Sequence, residues 1–406
     1  MISADQAVEI ILEHTEPLQT EVVGLSESLG RVLAADICAT EDIPPFDNSS
    51  MDGFALRSTD TQRATAGSPL KLAIVGVGPA GDATRLEVQP GTTVRIMTGA
   101  QLPLNADAVI QQEQVVESEG RILVSAPVSR GANVRLKGED IKSGELVLPC
   151  GSRLRAGQMG VLASTGSSQV SVFKKPRIGI LTTGNELVGV EEQLSSGKIR
   201  NSNAYTLMAL VQESGGIAID LGVAKDDEVE LVQRIQNGLG NDILISSGGV
   251  SVGKYDHVLS AMKKAGVDLK FWKINIKPGM PLAFGIFKSG GKAIPVFCLP
   301  GNPVSTMVTF IEFIRPCLEK MMSMPHGSES FHFRAVLEHA IQKNDRKRHF
   351  QRGIVVLKNG KLTVRSTGNQ SSGVLTSMVK ANCLITVPED QILLQQGEEV
   401  DVELLR

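Results

Sequence analysis

The sequence has few residues of the kinds that mark metal clusters, disulfide frameworks or membrane spans. Its five cysteines, at positions 38, 150, 298, 317 and 383, are widely scattered and form no C-x-x-C pair. This spacing indicates neither a zinc site nor a disulfide framework, and a cytoplasmic protein with reduced thiols is the simplest interpretation. No apolar run approaches the length that spans a bilayer, and the N-terminus lacks the basic start of a signal peptide.

Motifs for nucleophilic catalysis and nucleic-acid binding are also missing. There is no G-x-S-x-G, and the six histidines are scattered without metal-ligand spacing. A net charge of −3 argues against an extended positively charged surface for binding nucleic acid. The 406 residues exceed what one core accommodates, so we expect two to four domains.

One glycine-rich turn stands out in the stretch DILISSGGVSVGKYDH, residues 242 to 257. The apolar run 243–245 is typical of a strand buried on both faces of a parallel sheet, and 257–265 reads as a helix. Gly248 and Gly249 between them let a ligand approach the backbone, whose N–H groups then face an anion. The spacing matches neither a P-loop nor a dinucleotide fingerprint, and a plain tight turn is the alternative.

Strands and helices alternate from residue 177 to about 324, which predicts a doubly wound α/β domain. Ligands of such domains bind outside the carboxyl ends of the strands. Four polar turns follow predicted strands, namely 183–186, 226–227, 247–249 and 300–303. We therefore expect one ligand crevice at this edge.

Carboxylates on these turns favour a divalent cation. Glu186, Asp226 and Asp256 supply hard oxygen ligands beside an anion-binding loop, a combination that suits Mg²⁺ bound with a phosphate. Each has a plainer alternative as a helix cap or solvated turn residue, above all Asp226 and Asp227 before a helix. Lysines 273 and 277 in FWKINIKPGMP would neutralise a second anion, or are exposed strand lysines.

The remaining segments predict β structure. Residues 48–140 carry short apolar runs rich in Val, Gly and Pro, and 327–406 predict a small barrel or sandwich with a type I′ hairpin at Asn359-Gly360. Ser3 and Gln6 form a capping-box pattern that opens an amphipathic helix. The basic run NDRKRHFQRG, residues 344–353, is conceivable as a nucleic-acid contact, but a solvated loop or a local anion site is favoured.

Seven motifs resemble one known family in order and spacing. They are FDNSSMDGFAL, IMTGA, KGEDI, TTGNEL, SSGGVSVGKYD, FWKINIKPG and LPGNPVS. Together they resemble the molybdopterin molybdenumtransferases, the MoeA-type proteins that include the E domain of gephyrin. The resemblance covers nearly the whole chain.

The resemblance implies four domains and a substrate pair. The expected domains are a discontinuous linker domain over 1–47 and 141–176, an inserted β-rich domain over 48–140, an α/β molybdopterin-binding domain over 177–326 and a C-terminal β-barrel over 327–406. A cytoplasmic homodimer is implied, with each active site between two subunits and a molybdopterin adenylyltransferase upstream. The family takes adenylylated molybdopterin and molybdate, needs Mg²⁺, releases AMP and leaves molybdenum on the pterin.

The resemblance also assigns roles to residues. The implied catalytic positions are Asp52, Glu186, Asp226, Asp256, Lys273 and Lys277. The implied metal ligands are Glu186, Asp226 and Asp256. The implied substrate-binding positions are Thr98, Arg135, Asp140, Gly248, Gly249, Ser251, Pro300, Asn302, Pro303, Lys347, Arg348 and Ser372. Within these sets, Asp52, Thr98, Arg135 and Asp140 match the wall that comes from the other subunit.

Two departures from the family pattern concern molybdate. Met280 stands where the family usually has the second lysine of K-P-G-K-P, and Lys347 and His349 replace an arginine and an acid. A lost ammonium weakens oxyanion binding, and lysine lacks the bidentate fork of arginine, for which Arg348 is a candidate replacement. Two alternatives stay open: an adenylyltransferase, whose loop usually reads G-G-T-G, and a non-catalytic scaffold that binds only the pterin.

Overall fold

The computed structural model describes residues 1–81, 86–249, 257–325, 327 and 331–405. Within these ranges, no helix combines the length and the apolar character needed to cross a membrane. The predicted architecture of an α/β domain, a β-rich inserted region, a linker region and a C-terminal barrel is confirmed, and each part has its own sheet or strand pairs.

The chain begins with a helix over Ala4–Glu13 that carries the predicted capping box. The Ser3 hydroxyl accepts a hydrogen bond from the Gln6 N–H, and the Gln6 side chain accepts one from the Ser3 N–H. Further elements on both sides of the inserted region form antiparallel strand pairs and a helix. These are Thr20–Gly24 with Gln169–Phe173, Ile37–Cys38 with Leu146–Leu148, and the helix Ala156–Ser164.

The inserted region contains a six-stranded sheet, as its short apolar runs predict. In chain order its strands are Gly53–Leu56, Leu70–Gly78, Thr92–Ile96, Ala108–Gln111, Val115–Ser118 and Arg121–Val124. Its buried side, around Phe54, Leu72 and Ile122, forms a separate hydrophobic core. A short pair, Asn48–Ser49 with Val134–Arg135, lies where the chain enters and leaves this region.

The α/β segment is built on a six-stranded sheet. Its strands are β1 (Arg177–Thr183), β2 (Ile217–Ala224), β3 (Ile243–Ser247), β4 (Asp268–Trp272), β5 (Ala283–Ser289) and β6 (Lys292–Leu299). The order is β2-β1-β3-β6-β5-β4, with β2, β1, β3 and β6 parallel and β5 antiparallel to both neighbours. The β5–β6 hairpin was not predicted, because its apolar residues merge with those of the preceding loop.

Helices cover both faces of this sheet. They are α1 (Ser202–Glu213), α2 (Glu228–Gly238), α3 (His257–Lys264) and α4 (Pro303–Thr309). Ile243 and Ile245 of β3 pack in one core with α1 and α4, whereas Leu244 packs in another with α2 and α3. The unbroken apolar run of β3 is therefore explained by burial on both sides.

One predicted helix differs from a regular α-helix. Residues 303–322 were expected to form a single closing helix, but α4 is followed by a wider π turn over Phe310–Ile314 and then by a helix over Arg315–Met321. Pro316 explains the change, because its ring would clash with the carbonyl of residue 312 in a regular helix. The π turn accommodates the proline without ending the helix.

The C-terminal segment closes into a five-stranded barrel. Its strands are His332–Leu337, Arg348–Lys358, Lys361–Ser366, Cys383–Val387 and Glu399–Leu404, and each pairs with two others. Asn359 and Gly360 have φ angles of 50° and 76°, which confirms the predicted hairpin. The short strand Ile276–Lys277 adds to the barrel and connects it to the α/β segment.

A buried carboxyl pair lies between the π turn and the barrel. The Glu312 Oε1 atom is buried, and its carboxyl approaches that of Glu403, which is ion-paired with Arg315. Burial first, and then the charge of Glu403, raise the pKa of Glu312 well above its usual value. The folded protein therefore holds a proton that the unfolded chain has lost above a pH of about 4.3.

We expect Glu312→Gln to raise stability more at pH 8 than at pH 5. Since the folded state binds the extra proton, the contribution of Glu312 to the free energy of unfolding falls as pH rises above the unfolded pKa. Glutamine removes this loss, with an expected gain on the order of 1 kcal/mol at pH 8. Thermal melts at both pH values check this, with exposed Glu9→Gln as the control. Equal shifts at both pH values would contradict it.

Candidate active site

A large open pocket lies at the carboxyl ends of the parallel strands, where the polar turns predict a ligand crevice. Its volume is about 1120 Å³, and we call it the strand-end cleft. Its wall includes these predicted site residues: Glu186, Asp226, Gly248, Gly249, Pro300, Asn302 and Pro303. The structure therefore brings seven of the predicted positions to one cavity.

The glycine pair follows β3 and passes close to the end of β1. A Cβ at Gly248 would lie 2.4 Å from the Thr183 carbonyl oxygen, and one at Gly249 would lie 2.4 Å from the Val258 side chain. Their φ angles of 103° and 68° add a backbone reason for glycine. The open face of this turn forms part of the cleft wall, where main-chain groups are accessible to a ligand.

The two adjacent aspartates before α2 have different environments. Asp227 is the N-cap of α2, and its carboxylate accepts the Glu230 N–H at 2.9 Å. Asp226 lines the cleft, where its carboxylate accepts the Asn185 N–H at 3.2 Å and its own N–H bonds the Asn185 side chain at 3.3 Å. The helix-cap alternative therefore applies to Asp227, and Asp226 belongs to the cleft.

Glu186 adds a second carboxylate to the same wall. A Cβ at Gly184 would lie 2.6 Å from both Glu186 carboxylate oxygens, so the missing side chain leaves the space that this carboxylate occupies. The remaining acidic candidate, Asp256, and also Ser251, lie outside the described residues. No group of three or more His, Cys, Asp and Glu side chains arranged for a metal ion occurs in the described part of the chain.

A smaller pocket of about 410 Å³ adjoins the cleft, and we call it the lysine pocket. Lys277, Met280, Lys347 and Ser372 line it. The two cavities share three wall residues, Pro281, Pro300 and Asn302. An anion in the lysine pocket would therefore be a neighbour of a ligand in the cleft.

The two positions that depart from the family pattern contact each other in this pocket. Lys347 Nζ lies 3.4 Å from Met280 Sδ. On the opposite wall, the Asn302 side-chain amide donates to the Ser372 hydroxyl at 2.9 Å. Lys277 is half-exposed, with its ammonium 3.7 Å from the Asp345 carboxylate. The pocket thus offers ammonium and hydroxyl donors, together with one thioether.

The structure places Lys273 and Arg348 away from both cavities. The Lys273 ammonium lies over the Trp272 ring, 3.9 Å from its centroid. Arg348 makes a bidentate pair with Asp5, at 2.6 and 2.7 Å, and also contacts Glu389. These carboxylates raise the pKa of Arg348, and its guanidinium joins the first helix to the barrel, outside the wall of the lysine pocket.

The candidates from the inserted region form a separate group. The Asp52 carboxylate accepts hydrogen bonds from the Thr98 N–H at 2.8 Å and hydroxyl at 2.9 Å, which lower the pKa of Asp52. Arg135 pairs with Asn48 in the short strand pair, and the Asp140 N–H donates to the Ile43 carbonyl at 3.0 Å. None of the four lines the cleft or the lysine pocket of its own chain.

Asn203 was missed by the sequence reasoning. From the first turn of α1 its side-chain amide donates to the Ser247 hydroxyl at 2.9 Å and to the Gly301 carbonyl at 2.8 Å. It thereby connects the turn after β3 to the turn after β6. Its buried Oδ1 has no partner among the described residues. The signal that could have identified Asn203 is a polar residue in the first turn of a helix that begins beside the carboxyl ends of the strands.

Family models match almost the whole chain. The MoeA N-terminal region (domain I and II) matches residues 2–166, a probable molybdopterin binding domain matches 179–320, and the MoeA C-terminal region (domain IV) matches 334–405. The chain belongs to the MoeA family. This confirms the membership expected from the seven motifs.

Individual MoeA relatives match along their full length. The molybdopterin molybdenumtransferase of Haemophilus influenzae is 38% identical, with 99% of this chain and 98% of that protein covered. That of Nostoc sp. is 34% identical, over 94% and 88%. The crystal structure of the molybdopterin biosynthesis MoeA protein from Pyrococcus horikoshii OT3 is 33% identical, with a TM-score of 0.84 and both chains fully covered.

The contacts of the glycine pair lead to a stability prediction. Gly249→Ala is expected to cost about 1–3 kcal/mol, because the added Cβ meets Val258 and the positive φ disfavours any side chain. Gly301→Ala is the matched control from the same cleft, since its Cβ would make only an ordinary contact, 3.5 Å from Gly248 Cα. Urea unfolding compares the two. An equal effect on both would contradict the close packing of Gly249.

Proposed function

We propose that this chain is a molybdopterin molybdenumtransferase, which takes adenylylated molybdopterin and molybdate, releases AMP and leaves molybdenum on the pterin. Relatives that match it over nearly their whole length are molybdopterin molybdenumtransferases, which supports the reaction. The observation that carries it is the junction of two cavities, one with a glycine turn and carboxylates and the other with lysines. This arrangement suits a phosphate ester beside an oxyanion.

The strand-end cleft would hold the pterin nucleotide by its phosphates. Gly248 and Gly249 present main chain without side chains, as phosphate-binding turns do. Asn203 connects this turn to the one around Pro300 and Pro303, so that both would keep their positions when the nucleotide binds. Ser251 follows the glycines in sequence, and we include it in this phosphate site.

Carboxylates and a phosphate site in one cleft suit a divalent cation. Glu186 and Asp226 would repel a bound phosphate, and Mg²⁺ is the cation whose oxygen preference matches both. We propose that these two residues hold Mg²⁺, with Asp256 as a third ligand. Bound there, the ion would supply positive charge to the phosphates.

The lysine pocket would hold molybdate. Lys277 and Lys347 provide charge, and Ser372 with Asn302 provides neutral hydrogen-bond donors. As a water oxygen attacks the pterin phosphate, the phosphoanhydride bond breaks and negative charge grows on the departing AMP phosphate, where nearby ammonium groups stabilise it. No protein nucleophile is required. Lys273 would contribute only after leaving the Trp272 ring.

We further propose the assembly and setting that the family resemblance implies. The chain would form a cytoplasmic homodimer, in which Asp52, Thr98, Arg135 and Asp140 complete the partner's cleft. Their position outside the cleft of their own chain is compatible with this. A molybdopterin adenylyltransferase would supply the substrate. The domain limits 1–47 with 141–176, 48–140, 177–326 and 327–406 remain part of this proposal.

The adjacent aspartates give a matched test of the cleft. We expect Asp226→Asn to reduce molybdenum insertion by at least about 100-fold, because it removes a charge from the proposed metal site. Asp227→Asn should retain most of the activity, since asparagine caps helices as well as aspartate does. Molybdenum bound to the pterin is measured by elemental mass spectrometry after protein removal. Equal losses in both variants would remove Asp226 from the proposed role.

Met280 gives a test of the lysine pocket. Met280→Lys is expected to lower the molybdate concentration needed for half-maximal insertion by about fivefold, since it adds an ammonium beside Lys347. Met280→Gln, of similar size but uncharged, is the control and should change it little. A molybdate dependence that is the same in both variants would place the anion elsewhere, and would favour a protein that binds only the pterin.

A further inference from the structure

A third cavity lies on the barrel side of the loop at Lys277 and Pro278. Its volume is about 740 Å³, and we call it the barrel pocket. It shares Lys277, Pro278, Gln370 and Ser371 with the lysine pocket. The basic run 344–353, for which a local anion site was one interpretation, contributes much of its wall.

Arg352 in this wall is a buried cation that bonds to neutral acceptors. Its side chain is 1% exposed, and its guanidinium donates to two neutral acceptors, the Ser377 hydroxyl at 3.2 Å and the Ser371 carbonyl at 3.3 Å. No carboxylate pairs with it within the described ranges of the chain. Burial lowers the pKa of Arg352 to about 10, as expected for a charge that nothing nearby offsets.

Lys343 is a second buried cation of the barrel pocket. It is 4% exposed, and its ammonium donates to the carbonyl oxygens of Lys347, at 2.6 Å, and Pro388. An ammonium has three donors, so one remains after these two bonds. Burial lowers the pKa of Lys343, and the nearby carboxylates counteract this only in part.

The charges around the pocket do not balance. Lys277, Lys343 and Arg352 line it, whereas none of its described lining residues is a carboxylate. Asp345, Glu389 and Asp390 act on Lys343 from outside the wall, and two of them are already engaged, Glu389 with Arg348 and Asp345 with His349 and Lys277. One Asp345 oxygen lies 2.7 Å from His349 Nε2, and the other lies 3.7 Å from Lys277 Nζ. A pocket wall with this surplus of positive charge attracts an anion, and buried cations gain most from one.

We infer that the barrel pocket binds a tetrahedral oxyanion, of the class that includes molybdate, phosphate and sulfate, at a site separate from the lysine pocket. Lys277 and Lys343 provide charge, and Asn344 lies at the mouth of the pocket. Ser366 and Ser371 add hydroxyl groups to the wall. The buried guanidinium of Arg352 adds further positive charge to the wall. The identification of this anion as molybdate rests on the proposed function. In that case the two pockets adjoin through their shared wall residues, and molybdate reaches the lysine pocket by way of this site.

The test is to locate and count bound anions in the full-length protein. Crystals soaked in tungstate, a heavy tetrahedral oxyanion, are measured for anomalous scattering, and molybdate binding is counted by equilibrium dialysis at low salt. We expect a tungsten peak in the barrel pocket. Phosphate in the dialysis arm identifies the source: displacement of molybdate by equimolar phosphate indicates a general oxyanion site, and resistance to it indicates a molybdate site.

A charge-adding pair of variants tests the assignment in solution. Asn344→Asp places a carboxylate at the exposed rim of the pocket and should weaken binding at this site by about fivefold. Asn359→Asp makes the same change in the hairpin turn of the same barrel, outside the pocket, and should leave binding unaltered.

The outcomes separate this inference from the proposed function. Tungsten in the lysine pocket alone, or equal binding by both variants, overturns the inference and leaves the transferase reaction standing. Phosphate-displaceable binding in the barrel pocket together with an empty lysine pocket supports the inference and counts against molybdate insertion. Peaks in both pockets, with only the barrel peak weakened by Asn344→Asp, support both.

Discussion

The whole site depends on how closely the main chain passes at Gly248. In a parallel sheet all strand ends face the same edge, so the turns after β1, β3 and β6 must share one small volume. The Thr183 carbonyl approaches Gly248 so closely that no side chain fits there, since a Cβ on Gly248 would lie 2.4 Å from the carbonyl oxygen. Asn203 then joins two of these turns by hydrogen bonds. The phosphate-binding surface is thus a consequence of close backbone packing.

The charges of the site are separated along its length. Carboxylates of Glu186 and Asp226 line the cleft together with Arg200, and lysines 277 and 347 line the lysine pocket, with a proline-lined wall between. Here the acidic end suits a cation with phosphates, and the basic end suits an oxyanion. The separation supports a reaction that brings two anionic substrates together.

Local patterns predicted most of the fold, because periodicity, glycines and caps act over a few residues. The run at β3, the box at Ser3 and Gln6 and the hairpin at Asn359 all follow from such short-range rules. Assignments that depend on tertiary contacts were less accessible. The sequence does not distinguish the role of Asp226 from that of Asp227. It also does not indicate that Asp5, more than 300 residues away, forms an ion pair with Arg348. The π turn likewise required knowing how the helix packs around Pro316.

The most direct measurement of the central claim is AMP release from adenylylated molybdopterin by the wild-type protein, with Mg²⁺, in the presence and absence of molybdate. The account predicts release that rises with molybdate and saturates, since the two anions occupy adjoining cavities. Tight binding of the pterin nucleotide without molybdate-dependent release would contradict it, and would show that Met280 and Lys347 leave a pocket that no longer takes the oxyanion.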